Sequence, residues 1–204
     1  MSRYQRKDRF YDRAKSGGYR ARSAYKLQEL DNRYRLLRRG GRVVDLGAWP
    51  GAWLQVAAER IGPTGRAVGL DLTPITSLEL DHVVTLTGDV CSTATIAAVV
   101  AAAAGLADLV LCDIAPKLSG VRATDEARRA ALFTAVMAAL PELLAPGGSL
   151  LLKLFMDSDY QAALHNLRET FQRVTTTRPE ATRPGSAELY VVATGFTAIP
   201  SPAC

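Results

Sequence analysis

One lysine lies inside an otherwise apolar stretch, and this position calls for a chemical explanation. Lys153 is flanked by leucines and by Phe155 in the run SLLLKLF. An ammonium group in such a run is costly unless it reaches a carboxylate or a polar cleft, although an edge lysine can also extend its amine to water. Asp113 follows a second apolar run, and Lys26 and Glu188 border apolar segments elsewhere. Amines and carboxylates of this kind can hold and move protons, so the set suits general acid–base chemistry.

A second group of candidate residues surrounds a glycine-rich turn, VVDLGAWPGAW at 43–53. Such a turn between a strand and a helix lets the backbone approach a nucleotide-like ligand. The G-x-G-x-x-G fingerprint of dinucleotide sites is absent, because Trp49 and Pro50 occupy the turn, which disfavours NAD and a phosphate chain. Asp71 ends the next strand and is suited to ribose hydroxyls, and Asp89 follows the third and is suited to an adenine amino group. Each aspartate alone is typical of turns. Together they predict an adenosine ligand without phosphates, S-adenosylmethionine.

The elements that must position these residues alternate between short apolar strands and helices. Strands are predicted at 42–46, 67–72, 82–86, 108–112, 149–155, 173–177 and 188–194, and helices at 20–37, 52–60, 92–104, 125–144 and 158–171. This alternation predicts an α/β fold with a seven-stranded, mostly parallel sheet and helices on both faces. Only ten residues without a helix join the last two strands, so we expect the last strand to be antiparallel. Ligands bind at the carboxyl ends of the strands in such sheets, where the candidate residues fall.

Composition excludes several classes of protein. The chain has 204 residues, 48% apolar and 22% charged, which suits one soluble domain with a full core. No apolar run is long enough for a membrane span, and the charged N-terminus is unlike a signal peptide, so we expect a cytoplasmic protein. The three cysteines are widely spaced without a CxxC, which argues against a disulfide framework and against a metal site.

The distribution of charge predicts a polyanionic partner. Residues 1–42 carry fourteen lysines and arginines against four acids (net +10), and residues 43–204 carry eleven against sixteen (net −5). A charge run is usually a solvated surface, but aromatic residues interleaved with arginine, such as Tyr4, Phe10 and Tyr19, favour RNA. We expect a flexible basic arm over 1–18 and a single domain over 19–204 that begins with an RNA-binding helix at about 20–37. The candidate phosphate contacts are Arg3, Arg6, Arg9, Arg20 and Arg22.

Taken in order, the motifs resemble the FtsJ/RrmJ family of RNA ribose 2′-O-methyltransferases. The resemblance covers about residues 8–196. It is carried by GYRARSAYKL at 18–27, VDLG at 44–47 with PGAW at 50–53, DLTPI at 71–75, GD at 88–89, DIAP at 113–116 with SG at 119–120, LK at 152–153, and the segment 183–188. The resemblance implies a Rossmann-like methyltransferase fold that uses S-adenosylmethionine and no metal.

The resemblance also implies roles for individual residues. The catalytic tetrad of the family would fall on Lys26, Asp113, Lys153 and Glu188, and the cofactor contacts on Gly51, Trp53, Asp71, Asp89 and Asp113. Two positions depart from the family pattern. Lys117 stands where an asparagine is usual, which affects RNA contact, and Trp49 stands where a small residue is usual, which affects the methionine end of the cofactor.

The reaction that follows is displacement of a sulfonium methyl group by a ribose 2′-hydroxyl. We expect Lys153 to accept the hydroxyl proton, Asp113 to orient Lys153 and the methyl group, and Glu188 to position Lys26 or the ribose. In a compact single-domain chain, the resemblance implies large-subunit (23S) ribosomal RNA as the substrate, with a uridine as acceptor, and we expect a monomer. The alternatives are a tRNA methyltransferase of the same family, a small-molecule methyltransferase, which the basic segment disfavours, and a non-catalytic ribosome-assembly factor, which the complete tetrad disfavours.

Overall fold

Seven strands of the chain form one sheet. The computed structural model describes residues 9–116, 119–183 and 185–197. Its strands are β1 (Arg42–Leu46), β2 (Arg66–Asp71), β3 (Val83–Thr87), β4 (Ala107–Cys112), β5 (Leu144–Phe155), β6 (Phe171–Thr177) and β7 (Glu188–Phe196). Their order in the sheet is β3-β2-β1-β4-β5-β7-β6.

Neighbouring strands from β3 to β5 run parallel, whereas β7 runs antiparallel to both β5 and β6. The prediction of a mostly parallel sheet with an antiparallel last strand is therefore confirmed. The chain moves outward from β1 to β3 and then returns to place β4 on the other side of β1, so the strand order reverses between β1 and β4. This reversal opens a crevice at the carboxyl ends of β1 and β4, where parallel sheets bind ligands.

Helices cover both faces of the sheet. The helices are α1 (Arg9–Ser16), α2 (Ala24–Tyr34), α3 (Ala52–Ile61), α4 (Thr93–Ala103), α5 (Arg122–Leu143) and α6 (Tyr160–Thr170). Residues of α4, α5 and α6 share one core cluster with the inner strands, and residues of α2 and α3 share the other. Ser92 caps α4, because its side-chain oxygen accepts a hydrogen bond from Thr95 N.

The N-terminal region differs from the prediction. The sequence predicts a flexible arm over 1–18, but the part that the structure describes forms helix α1 from residue 9, and residues 1–8 lie outside the described residues. The helix forms because it has an apolar partner: Ala14 is buried and packs in one cluster with Tyr25 and Ala181. The helix predicted over 20–37 is confirmed only over Ala24–Tyr34. It ends three residues before the predicted end, and its C-cap residue Arg35 adopts a left-handed conformation.

Candidate active site

Two lysines and two carboxylates meet at the carboxyl ends of β4 and β5. The Nζ atom of Lys153 on β5 lies 2.8 Å from the carbonyl oxygen of Asp113 and 3.0 Å from its Oδ1 atom. The Nζ atom of Lys26 on α2 donates a hydrogen bond to Glu188 on β7. All four side chains are largely shielded from water. The structure thus brings together the four residues that the sequence proposed as a catalytic set, and it gives each lysine its own carboxylate.

Tyr190 connects the two ion pairs, although no sequence motif pointed to it. Its hydroxyl donates to Asp113 Oδ1 at 2.8 Å and accepts from Lys26 Nζ at 3.1 Å. Tyr190 is fully buried, and burial, followed by the negative charges of Asp113 and Glu188, raises the pKa of its hydroxyl well above the usual value. The hydroxyl therefore stays protonated and acts as a donor to Asp113. The two-residue spacing from Glu188 places both side chains on one face of β7, and this spacing is a signal that the sequence does contain.

A pocket of about 260 Å³ lies beside this network, at the strand reversal. Asp71, Asp89 and Asp113 line it, together with the glycine turn after β1. Asp71 is oriented by two backbone amides, since Oδ2 accepts from Trp49 N at 3.0 Å and Oδ1 accepts from Thr73 N at 2.8 Å. The Oδ1 atom of Asp113 accepts the hydrogen bond from Tyr190 and forms the ion pair with Lys153. Three of the five predicted cofactor residues therefore share one pocket.

Gly51 and Trp53, the other two predicted cofactor residues, do not line this pocket. Gly51 precedes α3 with a φ of 103°, and a side chain there would meet the Arg20 guanidinium. The Trp53 side chain is buried in the core, where its Nε1 atom donates to Ser23 O at 2.8 Å and its ring packs on Tyr190. Trp49, in contrast, is 57% exposed and lines the pocket, a position compatible with the predicted effect on the methionine end of the cofactor.

Asp45 is a further carboxylate near the site, and the sequence motifs assign it no role there. It lies on β1, is 1% exposed, and neither carboxylate oxygen has a hydrogen-bond partner among the described residues. Burial raises the pKa of Asp45 well above its ordinary value, and the nearby charges of Asp113 and Asp71 raise it further. A buried acid with a raised pKa and no partner is typical of functional sites.

Two arginines predicted to contact RNA are engaged within the protein instead. The Arg20 guanidinium donates to the carbonyl oxygens of Pro50, Thr76 and Ser77, with nitrogen–oxygen distances of 2.5–3.1 Å. The Arg20 side chain therefore connects the glycine turn to the segment after β2 by hydrogen bonds. Arg22 donates to Ala181 O and lies 5.6 Å from the centre of the Phe10 ring. The departure at Lys117 lies outside the described residues.

Within 9–116, 119–183 and 185–197, no group of histidine, cysteine, aspartate and glutamate side chains is arranged to hold a metal ion. In the same part of the chain, no helix is long and apolar enough to cross a membrane.

The sheet order and the carboxylates at the strand reversal define a Rossmann-like methyltransferase fold. The sequence comparison gives the family: the chain belongs to the FtsJ-like methyltransferases, which it matches over residues 19–196. It is 45% identical over 192 residues to the ribosomal RNA large subunit methyltransferase E of Methanothrix thermoacetophila, covering 94% of this chain and 73% of that protein. The methyltransferase E of Syntrophobacter fumaroxidans is 40% identical over 189 residues, which cover 93% and 95% of the two chains.

Solved structures agree with this assignment. A structure described as a ribosomal RNA methyltransferase from Plasmodium falciparum has a TM-score of 0.75 and 26% identity, covering 87% of this chain and 98% of that one. Aeropyrum pernix fibrillarin, solved with natively bound S-adenosyl-L-methionine, has a TM-score of 0.59 and 14% identity, covering 84% and 73%. The second comparison shows the fold alone.

Proposed function

We propose that the protein transfers a methyl group from S-adenosylmethionine to a ribose 2′-hydroxyl, at a uridine of large-subunit ribosomal RNA. The observation that carries the proposal is the chain of contacts Lys26–Tyr190–Asp113–Lys153, which borders the pocket lined by Asp71 and Asp89. Relatives that are 40–45% identical over nine-tenths of the chain bear the name ribosomal RNA large subunit methyltransferase E, which supports the choice of RNA.

The residues around the pocket fit S-adenosylmethionine. When bound, this cofactor supplies a methyl group on a positively charged sulfur, and its methionine part carries an ammonium group. Asp71, Asp89 and Asp113 line the crevice and supply the negative charge that such a ligand requires. Asp71 would accept hydrogen bonds from ribose hydroxyls, and Asp89 from the adenine amino group. Gly51 and Trp53 would act through the backbone at the start of α3, because the Trp53 side chain is committed to the core.

On the acceptor side, Lys153 is the proposed proton acceptor. A bond forms between the 2′-oxygen and the methyl carbon while the carbon–sulfur bond breaks, and the hydroxyl proton passes to the Lys153 amine. An ammonium cannot accept a proton, so Lys153 must be neutral at this moment. Asp113, held by Tyr190, fixes the position of the Lys153 Nζ atom. The Lys26–Glu188 pair would position the ribose. Much of the rate then comes from alignment of the donor, methyl group and acceptor.

One experiment tests both the reaction and the RNA. Ribosomal RNA and tRNA from cells lacking the enzyme are incubated separately with the protein and methyl-labelled S-adenosylmethionine, and the labelled nucleotide is mapped. We expect label in large-subunit rRNA at a single uridine 2′-O position. Label in tRNA would show the alternative substrate of the same chemistry, and label on a base would refute ribose methylation. The absence of label in every pool, with cofactor binding intact, would favour a non-catalytic RNA-binding factor.

A further inference from the structure

A second cavity, distinct from the pocket of the aspartates, opens between helices α5 and α6. It has a volume of about 260 Å³ and is partly open to solvent. Buried apolar residues of the sheet, Leu152 and Leu154, form its floor, and three aromatic residues from three different elements form part of its lining: Phe133, Phe155 and Tyr160. No sequence pattern indicates an aromatic pocket here, because these side chains are not neighbours in the chain.

This cavity is continuous with the active site. Lys153 and Ile114 line it, and Ile114 also lines the aspartate pocket. The Phe155 ring is close to two cations: its centre is 5.8 Å from Lys153 Nζ and 5.2 Å from the Arg129 guanidinium carbon. Arg129 in turn donates to Asp157 Oδ2 at 2.8 Å at the polar side of the cavity. A flat apolar group beside Phe155 would thus be close to the proposed proton acceptor.

We propose that the cavity between α5 and α6 binds the base of the nucleotide whose ribose is methylated. This inference rests on the proposed function and adds a second subsite to it. The base and the ribose of one nucleotide are joined by a single bond. A base placed beside Phe155 can therefore keep its own 2′-hydroxyl within reach of Lys153 Nζ.

The chemistry of the lining suits a nucleobase. A base has two apolar faces, which the aromatic rings and leucines can contact, and a polar edge, which needs hydrogen-bonding groups. Arg129, Asp157 and Asn166 supply such groups around the same cavity. Aromatic stacking on a base is sequence-tolerant, so the cavity by itself favours any unpaired nucleotide over a paired one. The base would have to leave its stack in the RNA to enter.

The test fills the cavity from a helix without touching the residues that carry out the reaction. Ala130 lines the cavity from α5, whereas its neighbour Ala131 is exposed and does not. Ala130→Phe is therefore compared with Ala131→Phe, which makes the same change on the same helix. Thr134→Phe, one turn further along the cavity, is a second filling variant. Calorimetry with S-adenosylmethionine checks that each variant is folded and binds the cofactor.

Each variant is assayed by single-turnover methylation on two RNAs, one intact and one in which the acceptor nucleotide keeps its ribose but lacks its base. For the wild type and Ala131→Phe, we expect transfer to the abasic RNA to be about tenfold slower than to intact RNA. For Ala130→Phe and Thr134→Phe, we expect transfer to intact RNA to fall to that lower level, with no further loss on abasic RNA.

The inference is overturned if the filling variants methylate intact RNA as fast as Ala131→Phe does, or if they slow the abasic RNA as much as the intact one. A wild-type protein that labels no ribose in either RNA would instead refute the proposed function, and the inference with it. The two failures are therefore distinguishable.

Discussion

At the scale of single residues, the site is a set of ionisable groups whose neighbours decide what each can do. Each lysine is paired with one carboxylate, and the buried hydroxyl of Tyr190 joins the two pairs through Asp113. Asp45 is the exception, because no partner among the described residues satisfies it. Variants of Lys153 and Asp45 would distinguish a residue that reacts from a buried acid that affects stability.

Lys153→Ala and Lys153→Arg are both expected to slow methyl transfer by about 10²–10⁴-fold, the usual contribution of a general base. Arginine fails because a guanidinium does not lose its proton in the working pH range. The measurement is single-turnover methylation at saturating cofactor, with calorimetry to show that cofactor binding is retained.

A lysine that only fills space would behave differently. In that case Lys153→Met is expected to keep activity and to be at least as stable as the wild type, since a shielded charge has been removed. Near-wild-type rates for the Arg or Met variants would rule out the role as proton acceptor and would direct attention to Asp113 or Lys26.

Asp45→Asn is expected to raise the free energy of unfolding by about 1–3 kcal/mol at neutral pH. Burial, and then the charges of Asp113 and Asp71, raise the Asp45 pKa, so the folded state holds this proton more tightly than the unfolded state. The wild type therefore loses stability as pH rises above the ordinary value of 3.8, whereas the asparagine variant lacks this loss.

Denaturant titrations between about pH 3.5 and pH 8 would measure the free energy of unfolding of Asp45→Asn and the wild type over the interval in which a buried acid titrates. The difference between the two proteins should grow with pH. A gain that does not depend on pH would contradict the assignment.

At the scale of elements, the start of α5 is fixed by one carboxylate. Asp125 accepts hydrogen bonds from Ser119 N at 2.7 Å, Ser119 Oγ at 2.8 Å and Gly120 N at 3.2 Å. These hydrogen bonds lower the pKa of Asp125 below its ordinary value of 3.8, and the two from Ser119 have the largest effect. The same hydrogen bonds hold residues 119–120 against α5, which also lines the cavity beside Lys153. The same element thus connects the motif after β4 to the proposed base subsite.

Asp125→Ala is expected to lower the melting temperature at neutral pH because two backbone amides lose their acceptor. A carboxylate with a lowered folded pKa contributes stability that is present above pH 3.8 and is lost as pH falls through its folded pKa. The difference between the variant and the wild type should therefore shrink below pH 3.8, as followed by thermal melts. Asp159→Ala is the control, since Asp159 precedes α6 without a side-chain cap bond. Equal effects at both positions would contradict the role of Asp125.

At the scale of the whole molecule, charge is divided between the N-terminal segment and the rest of the chain. The first 42 residues carry a net charge of +10, from fourteen basic and four acidic residues. The guanidinium groups of Arg20 and Arg22 donate hydrogen bonds to carbonyl oxygens of the protein, so these two arginines are poor candidates for phosphate contacts. Arg3 and Arg6 lie outside the described residues, so the prediction of RNA contact now centres on them and on Arg9.

Replacing Arg3, Arg6 and Arg9 with serine is expected to weaken RNA binding and to reduce the slope of log affinity against log salt by about 2–3. The slope falls because counterions are released on binding only where a cation contacts a phosphate, and the variant makes fewer such contacts. Arg38, Arg39 and Arg42 are a matched control, because these exposed arginines lie at or before the start of β1, at the opposite end of the strand from the site. Filter binding over a range of salt concentrations measures the slope. An unchanged slope in the N-terminal variant, or equal slopes in both variants, would refute the prediction.

The class of fold and most of the residues at the site follow from local sequence patterns. Strands and helices have side-chain periods of two and 3.6 residues, which depend only on near neighbours in the chain. The carboxyl ends of parallel strands share one edge, so the positions of Asp71, Asp89 and Asp113 after successive strands are enough to predict one common pocket. The alternation of apolar strands with helices likewise predicts the parallel sheet, and the short last connection predicts the antiparallel strand.

Long-range packing, in contrast, sets how residues far apart in the chain meet. Lys26 and Glu188 are separated by 162 positions and pair because β7 lies beside β5 in the sheet order, a choice that no local period encodes. The same reason applies to Tyr190, to the carbonyl oxygens that hold Arg20, and to the cavity that takes its aromatic lining from α5, β5 and α6. Periodicity shows which face of an element is buried, whereas the partner across that face is set by packing of the whole chain.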